Sequence, residues 1–148
     1  MKLAAFRSPL VFGLCDGAMS ILGVVFFAAG HTDLVFPIAV SGGVSAACSM
    51  AGGEYLSVRD KDQPRRLAAA AAMGAATLAG SILPAFPYLF LRGWQAPAVA
   101  VIALAAVAAA VGRLRTGHPH PYLETVVVLI LVLTASVLCA LLIPGETS

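Results

Sequence analysis

Two carboxylates and a thioether stand where an apolar segment has no structural need of them. Glu54 closes a long apolar run that begins at Leu34, inside the stretch Ser45-Ala-Ala-Cys-Ser-Met-Ala-Gly-Gly-Glu-Tyr-Leu-Ser57. Met50 lies four residues earlier, and residues i and i+4 of a helix share a face. A hard oxygen ligand and a soft sulfur would therefore point the same way, one turn apart. Asp16 sits in the apolar run before this one. Carboxylates within a bilayer are costly and usually functional. Sulfur beside oxygen suits ferrous, manganous or cobaltous ions better than sodium or calcium. In low dielectric two neighbouring carboxylates repel, so a proton and a divalent cation would compete for the same oxygens. That competition is the chemistry of a proton-coupled exchanger. Each residue also has a plainer role, Met50 as packing and Glu54 as a side chain that reaches water from a helix end.

The elements that must position these groups are apolar helices. Of 148 residues, 60% are hydrophobic and 11% charged, and the mean hydropathy is +0.95. A soluble domain carries roughly 25% charge, so the sequence reads as a single all-α integral membrane domain over 1–148. Five runs are long enough to cross a bilayer: about 9–30, 34–58, 67–90, 96–112 and 122–143. Gly13, Gly17, Ser20 and Gly23 form a small-residue stripe in the first run, a pattern that marks close helix contact in lipid and here predicts a dimer interface. Ser41, Ser45, Ser49 and Gly52 form a second row. Together with Ser20, Ser45 and Ser49 would line a polar path towards Glu54. Pro84 and Pro87 interrupt the third run. The alanine-rich fourth run predicts tight packing inside a bundle, and the Val- and Leu-rich fifth predicts lipid contact.

Lys and Arg fall eight on one side of this arrangement and one, Arg92, on the other. The positive-inside bias puts the N-terminus in the cytoplasm and the C-terminus outside. Counting inward from the ends of the first two runs at 1.5 Å per residue, Asp16 lies roughly 10 Å deep and Glu54 roughly 6 Å. Asp16, Met50 and Glu54 are thus expected in one layer near the cytoplasmic mouth. Other polar residues have local explanations. Glu124 reads as helix-start chemistry, His118 and His120 as solvated residues between Pro119 and Pro121, and Asp33 with His31 as a capping turn. Cys15, Cys48 and Cys139 show neither a metal spacing nor a disulfide framework and read as small buried hydrophobes.

Asp16-Gly17, Ser49-Met-Ala-Gly-Gly-Glu-Tyr-Leu-Ser57 and Gly80-Ser-Ile-Leu-Pro-Ala-Phe-Pro-Tyr88 occur in an order and at a spacing that resemble the vacuolar iron transporter (VIT) family. The resemblance runs from about Phe12 to Tyr88, and the Ser-Met-x-x-Gly-Glu-Tyr-x-Ser element is its specific part. It implies a homodimer of five-helix subunits that exports ferrous iron or manganese from the cytosol against inward protons. It also implies that Asp16 and Met50 line the ion path at the dimer interface and that Glu54 joins them. Many members insert an acidic metal-gathering domain between the second and third spans. Here that connection is only Arg59-Asp-Lys-Asp-Gln-Pro-Arg-Arg66, which resembles the short, nodulin-like form.

The expectation is a secondary transporter of Fe2+ or Mn2+ with Asp16 and Glu54 coupling protons. It carries no permanently bound cofactor. Its partners are a second copy, the bilayer, the transported ions and protons, with no nucleic acid. Composition suggests a bacterial plasma membrane, and nothing suggests an enzyme. Two other readings use the same fold: a transport-inactive scaffold, which has no need of buried carboxylates, and a passive cation channel without proton coupling.

Overall fold

The computed structural model describes residues 6–27, 32–57, 62–115, 117 and 119–142. They form helices α1 (Arg7–Phe27), α2 (Thr32–Ser57), α3 (Gln63–Ala85), α4 (Gln95–Leu114) and α5 (Pro121–Leu142), with a 3-10 turn at Phe86–Leu89. Among the described residues, three helical stretches are long and apolar enough to cross a membrane: Thr32–Ser57, Gln63–Leu89 and Gln95–Leu114. The 26 residues of α2 rise about 39 Å and the 20 of α4 about 30 Å, against a hydrocarbon core of about 30 Å.

The helix that organises the bundle is α3, not α2. It packs along both α1 and α2, which meet each other less extensively. The reason is its run of small residues. Ala69, Ala70, Met73, Gly74, Ala76, Thr77, Gly80, Ser81, Pro84 and Ala85 are all buried, and lacking bulk they let two backbones approach at once. A Cβ on Gly80 would stand 2.6 Å from the Leu14 carbonyl oxygen, and one on Gly74 3.0 Å from that of Ala47. Ser81 adds an interhelical hydrogen bond, its hydroxyl donating to the carbonyls of Gly17 (3.3 Å) and Thr77 (3.0 Å). Thr77 is fully buried and donates to Met73 O at 3.1 Å.

Several details depart from expectation. The helix α3 starts at Gln63, so Arg65 and Arg66 belong to its first turns rather than to a loop. Pro64 stands at the start of the helix, where a missing N–H costs nothing. The outer half of α4 is exposed, with Val101 and Ile102 about two-thirds accessible, so its alanines do not bury it in the bundle. Cys15 is half-buried and Cys48 exposed, which corrects the expectation of burial for Cys48; the side chain of Cys139 lies outside the described residues.

At the end of the bundle that carries the α1–α2 and α3–α4 connections, Ile21, Val35, Ala39, Ala85, Tyr88, Ala96 and Ala100 form an apolar cluster. Phe86 adds edge-on ring contacts to Phe36 (6.4 Å) and Phe90 (5.3 Å). Two clamps hold the opposite end. Arg66 donates to the Tyr55 carbonyl at 2.7 Å and lies 4.6 Å from the centre of the Tyr55 ring, fixing the last turn of α2. Arg115 ion-pairs with Glu124 and donates to Thr125 Oγ1 at 3.3 Å, tying the end of α4 to the start of α5.

A candidate ion path along α1 and α2

The contacts of α3 fix the register of the first two helices. Gly17 and Gly43 both abut Ser81 and therefore share a level. Asp16 is one residue below Gly17, and Met50 and Glu54 are seven and eleven residues below Gly43 on the antiparallel α2. At 1.5 Å per residue, Met50 lies about 9 Å and Glu54 about 15 Å below Asp16 along the bundle axis. The three groups do not share a layer. They descend as a ladder, because α3 holds α2 further towards the Arg66 end than counting from the helix ends implies.

Their faces differ as well. On α2 the buried residues Val35, Ala39 and Gly43 continue into half-buried Ala47, Met50, Ala51 and Glu54. This seam faces α3 and the inner edge of α1. Ser41, Ser45, Ser49 and Gly52 are all exposed, and at 100° per residue they occupy the far flank of the helix. No atom from elsewhere in the chain lies within 4 Å of a Cβ built on Gly42, Gly52 or Gly53. Met50 and Glu54 therefore form an inner seam, and Ser45 and Ser49 an outer rim.

Asp16 is half-buried on the flank of α1 that also carries exposed Ser20 one turn on. The Ser20 hydroxyl donates to the Asp16 carbonyl at 2.8 Å. A small cavity of about 30 Å3 opens above, lined by Ser20, Ile21, Ala39, Gly42, Gly43 and Ser81. It is about the share of one water molecule. Gly13 and Gly17 require a correction: both are buried against Met73, Ala76, Thr77 and Ser81 of the same chain. The stripe was legible as a helix contact, but for these two residues the partner is α3, which leaves Ser20 exposed and Gly23 half-exposed. Among the described residues, no three or more His, Cys, Asp or Glu side chains converge to hold a metal ion.

The remaining polar residues are placed as follows. Glu124 occupies the first turn of α5 and carries the ion pair to Arg115. Asp33 is exposed in the first turn of α2, and His120 is exposed. His31 and His118 lie outside the described residues. The sequence reading missed Thr77 and Ser81, although Gly74, Thr77 and Ser81 recur at three and four residues as the α1 stripe does.

Long apolar helices around a small-residue spine, with carboxylates partway along them, define a helical integral membrane protein. Residues 7–66 match the family model described as VIT family. That match points to metal-ion transport. The match spans α1, α2 and the first residues of α3, so it contains Asp16, Met50 and Glu54 and stops short of Gly80–Tyr88. No curated protein and no solved structure matches the chain.

Proposed function

We propose that the protein is a homodimeric secondary transporter that moves ferrous iron or manganese out of the cytosol in exchange for protons, with five spans per subunit and the N-terminus cytoplasmic. One observation carries this reading: next to Asp16, α2 turns a row of serines and glycines away from its own subunit. Hydrocarbon gives such a face no hydrogen-bonding partner, whereas a second copy related by a two-fold axis covers it and encloses a polar trough. Ser20, Ser45 and Ser49 form the walls of that trough, and Asp16 stands in it twice, once from each subunit. The ladder gives the order of events. A divalent ion meets Glu54 first, then the Met50 thioether, then the paired Asp16 carboxylates, where it displaces protons that return to the cytosol. The short α2–α3 connection means that capture begins at Glu54 itself. The match to the VIT family model and the apolar helices support a membrane setting; a bacterial plasma membrane is the setting proposed.

The test is flux into proteoliposomes with an imposed pH gradient, using Fe2+ and Mn2+ separately. The reading expects uptake that accelerates with an acidic lumen and alkalinises that lumen as metal enters. Flux indifferent to the gradient identifies a channel, and no flux with either ion identifies a scaffold. Cysteines introduced at Ser45 or Gly52 should cross-link two subunits, and one at Gly17 should not.

A further inference from the structure

The bundle contains a second and much larger cavity, which none of Asp16, Met50 and Glu54 lines. It measures about 600 Å3 and lies among the ends of α1 and α3, the first half of α4, and α5. That is within the roughly 300–1,000 Å3 typical of small-molecule sites. Its wall is apolar, with Ile21, Leu22, Pro84, Ala98, Leu104 and Leu133 among the lining residues. The sequence causes the void. Pro84 withdraws an N–H from α3, which tightens into the 3-10 turn Phe86–Leu89 beside the cavity. The facing side of α4 offers only Pro97, Ala98, Ala100, Val101 and Leu104. The cavity follows α4 from its start to Leu104, about 14 Å at 1.5 Å per residue from Gln95.

Its polar groups are gathered at one end. Thr32 and Gly93 line that rim. Gly93 makes the turn with φ 62°, a left-handed conformation that suits glycine. Each rim residue has an exposed charge beside it in sequence, Asp33 next to Thr32 and Arg92 next to Gly93. The helix α4 begins at Gln95, two residues after Gly93, without a side-chain cap, which leaves the positive end of its dipole beside the rim in sequence. Trp94, 78% exposed, stands beside it, where indole rings settle at headgroup level.

We propose that this cavity binds one acyl chain of a glycerophospholipid with an amine-bearing headgroup, the phosphate lying at Arg92 and the start of α4 and the ammonium at Asp33. An apolar cleft of this depth inside a bilayer meets hydrocarbon, and the rim offers one charge of each sign to a zwitterionic headgroup. The site shares no residue with the ion ladder, so its test does not use metal flux.

Trp94 is the sole tryptophan, which makes it a local reporter. The full chain is loaded with phosphatidylethanolamine brominated near the ester end of its acyl chain, then diluted into lipid-free mild detergent while Trp94 fluorescence is followed. The proposal expects quenching that outlasts dilution and about one retained phospholipid phosphorus per chain. Ala98→Phe fills the cleft from an exposed position, so quenching should vanish within the mixing time while the helical circular-dichroism spectrum is unchanged. Arg92→Gln should speed release about fivefold, the scale of one exposed charge contact. Brominated phosphatidylglycerol should leave faster than the ethanolamine lipid, and Asp33→Asn should erase that difference. Wild-type quenching lost on dilution, or retention unaltered by Ala98→Phe, overturns the site. Equal retention of the two lipids overturns the headgroup assignment. If Ala98→Phe lowers dimer content and leaves retained phospholipid unchanged, the cleft is a protein contact and the proposal fails.

Discussion

Replacing Gly17 by alanine tests the central role of α3 directly. A Cβ at Gly17 would overlap the Thr77 carbonyl oxygen and stand 2.8 Å from the Ser81 nitrogen and 3.0 Å from the Gly80 carbonyl carbon, where ordinary contact begins at 3.4 Å. All three are backbone atoms of a continuous helix, so none can rotate away. The methyl must push α1 and α3 apart by at least 0.6 Å (3.4 minus 2.8) at Ser81 and by more at Thr77. Movement on that scale also lengthens the Ser81-to-Gly17 hydrogen bond, already 3.3 Å. Overpacking costs about 1–3 kcal/mol, and the better helix propensity of alanine returns about 1 kcal/mol. With backbone on every side the upper part of the range applies, leaving a net loss of about 1–2 kcal/mol. For a chain of this size that lowers Tm by about 3–6 °C.

The assay is a thermal melt in detergent, with two glycines as controls. Gly52→Ala adds its methyl to open space and should melt at or slightly above the wild type. Gly112→Ala places its methyl against the Tyr122 ring; that ring is 52% exposed and can swing aside, so the loss should be smaller than at Gly17. A Gly17→Ala protein that melts within a degree of wild type, or no lower than Gly112→Ala, refutes the claim that α1 and α3 touch backbone to backbone.

Three further substitutions probe the ladder, each measured as metal flux with dimer content as the folding control. Asp16→Asn keeps size and hydrogen bonding but removes the charge that attracts a divalent ion and exchanges protons; flux should fall to background, and normal flux removes Asp16 from the path. Met50→Leu keeps apolar volume, a swap that costs under about 1.5 kcal/mol in most cores; it should slow Fe2+ more than Mn2+ because the softer ion depends more on sulfur, and unchanged rates for both return Met50 to packing. Glu54→Gln should raise the metal concentration at half-maximal flux with little effect on the maximal rate, since Glu54 stands at the entrance about 15 Å below Asp16; a collapse of the maximal rate instead would put Glu54 in the exchange step itself.

Helical periodicity and small-residue stripes carried much of this architecture in plain view. The runs were readable because apolar residues extend over whole turns with Pro, Gly or charge between them, and Asp16, Met50 and Glu54 stood out as groups whose burial needs a reason. The identity of each contact was not readable. A stripe such as Gly13-Gly17 states that a backbone approaches, and its spacing is the same whether the visitor is α3 or a second subunit. The choice depends on a matching stripe elsewhere, and Gly74, Thr77, Gly80 and Ser81 on α3 provide it within the chain. The same ambiguity hid the exposed outer half of α4, where alanine satisfies a packed interior and a thin wall beside a cleft equally well.

Depth was the other quantity the sequence left open, and it bears on mechanism. Counting from helix ends assumes that α1 and α2 begin flush with one another, yet nothing local enforces that. The register comes from Ser81, which Gly17 and Gly43 both abut, and from Gly74, which meets Ala47 and Ala51. These contacts slide α2 towards the end clamped by Arg66, and the slide separates the carboxylates. Two carboxylates in one layer would compete for a single proton and bind a single ion. Separated by about 15 Å, in the proposed transporter they would act in sequence, one collecting and one exchanging, with the thioether between them. In a chain whose α2–α3 connection has no room for a metal-gathering domain, that separation would let the membrane helices perform both proposed steps. In the proposed dimer, Glu54 would release its ion upward only if Asp16 bound it more tightly, and a second Asp16 across the two-fold axis would supply that difference.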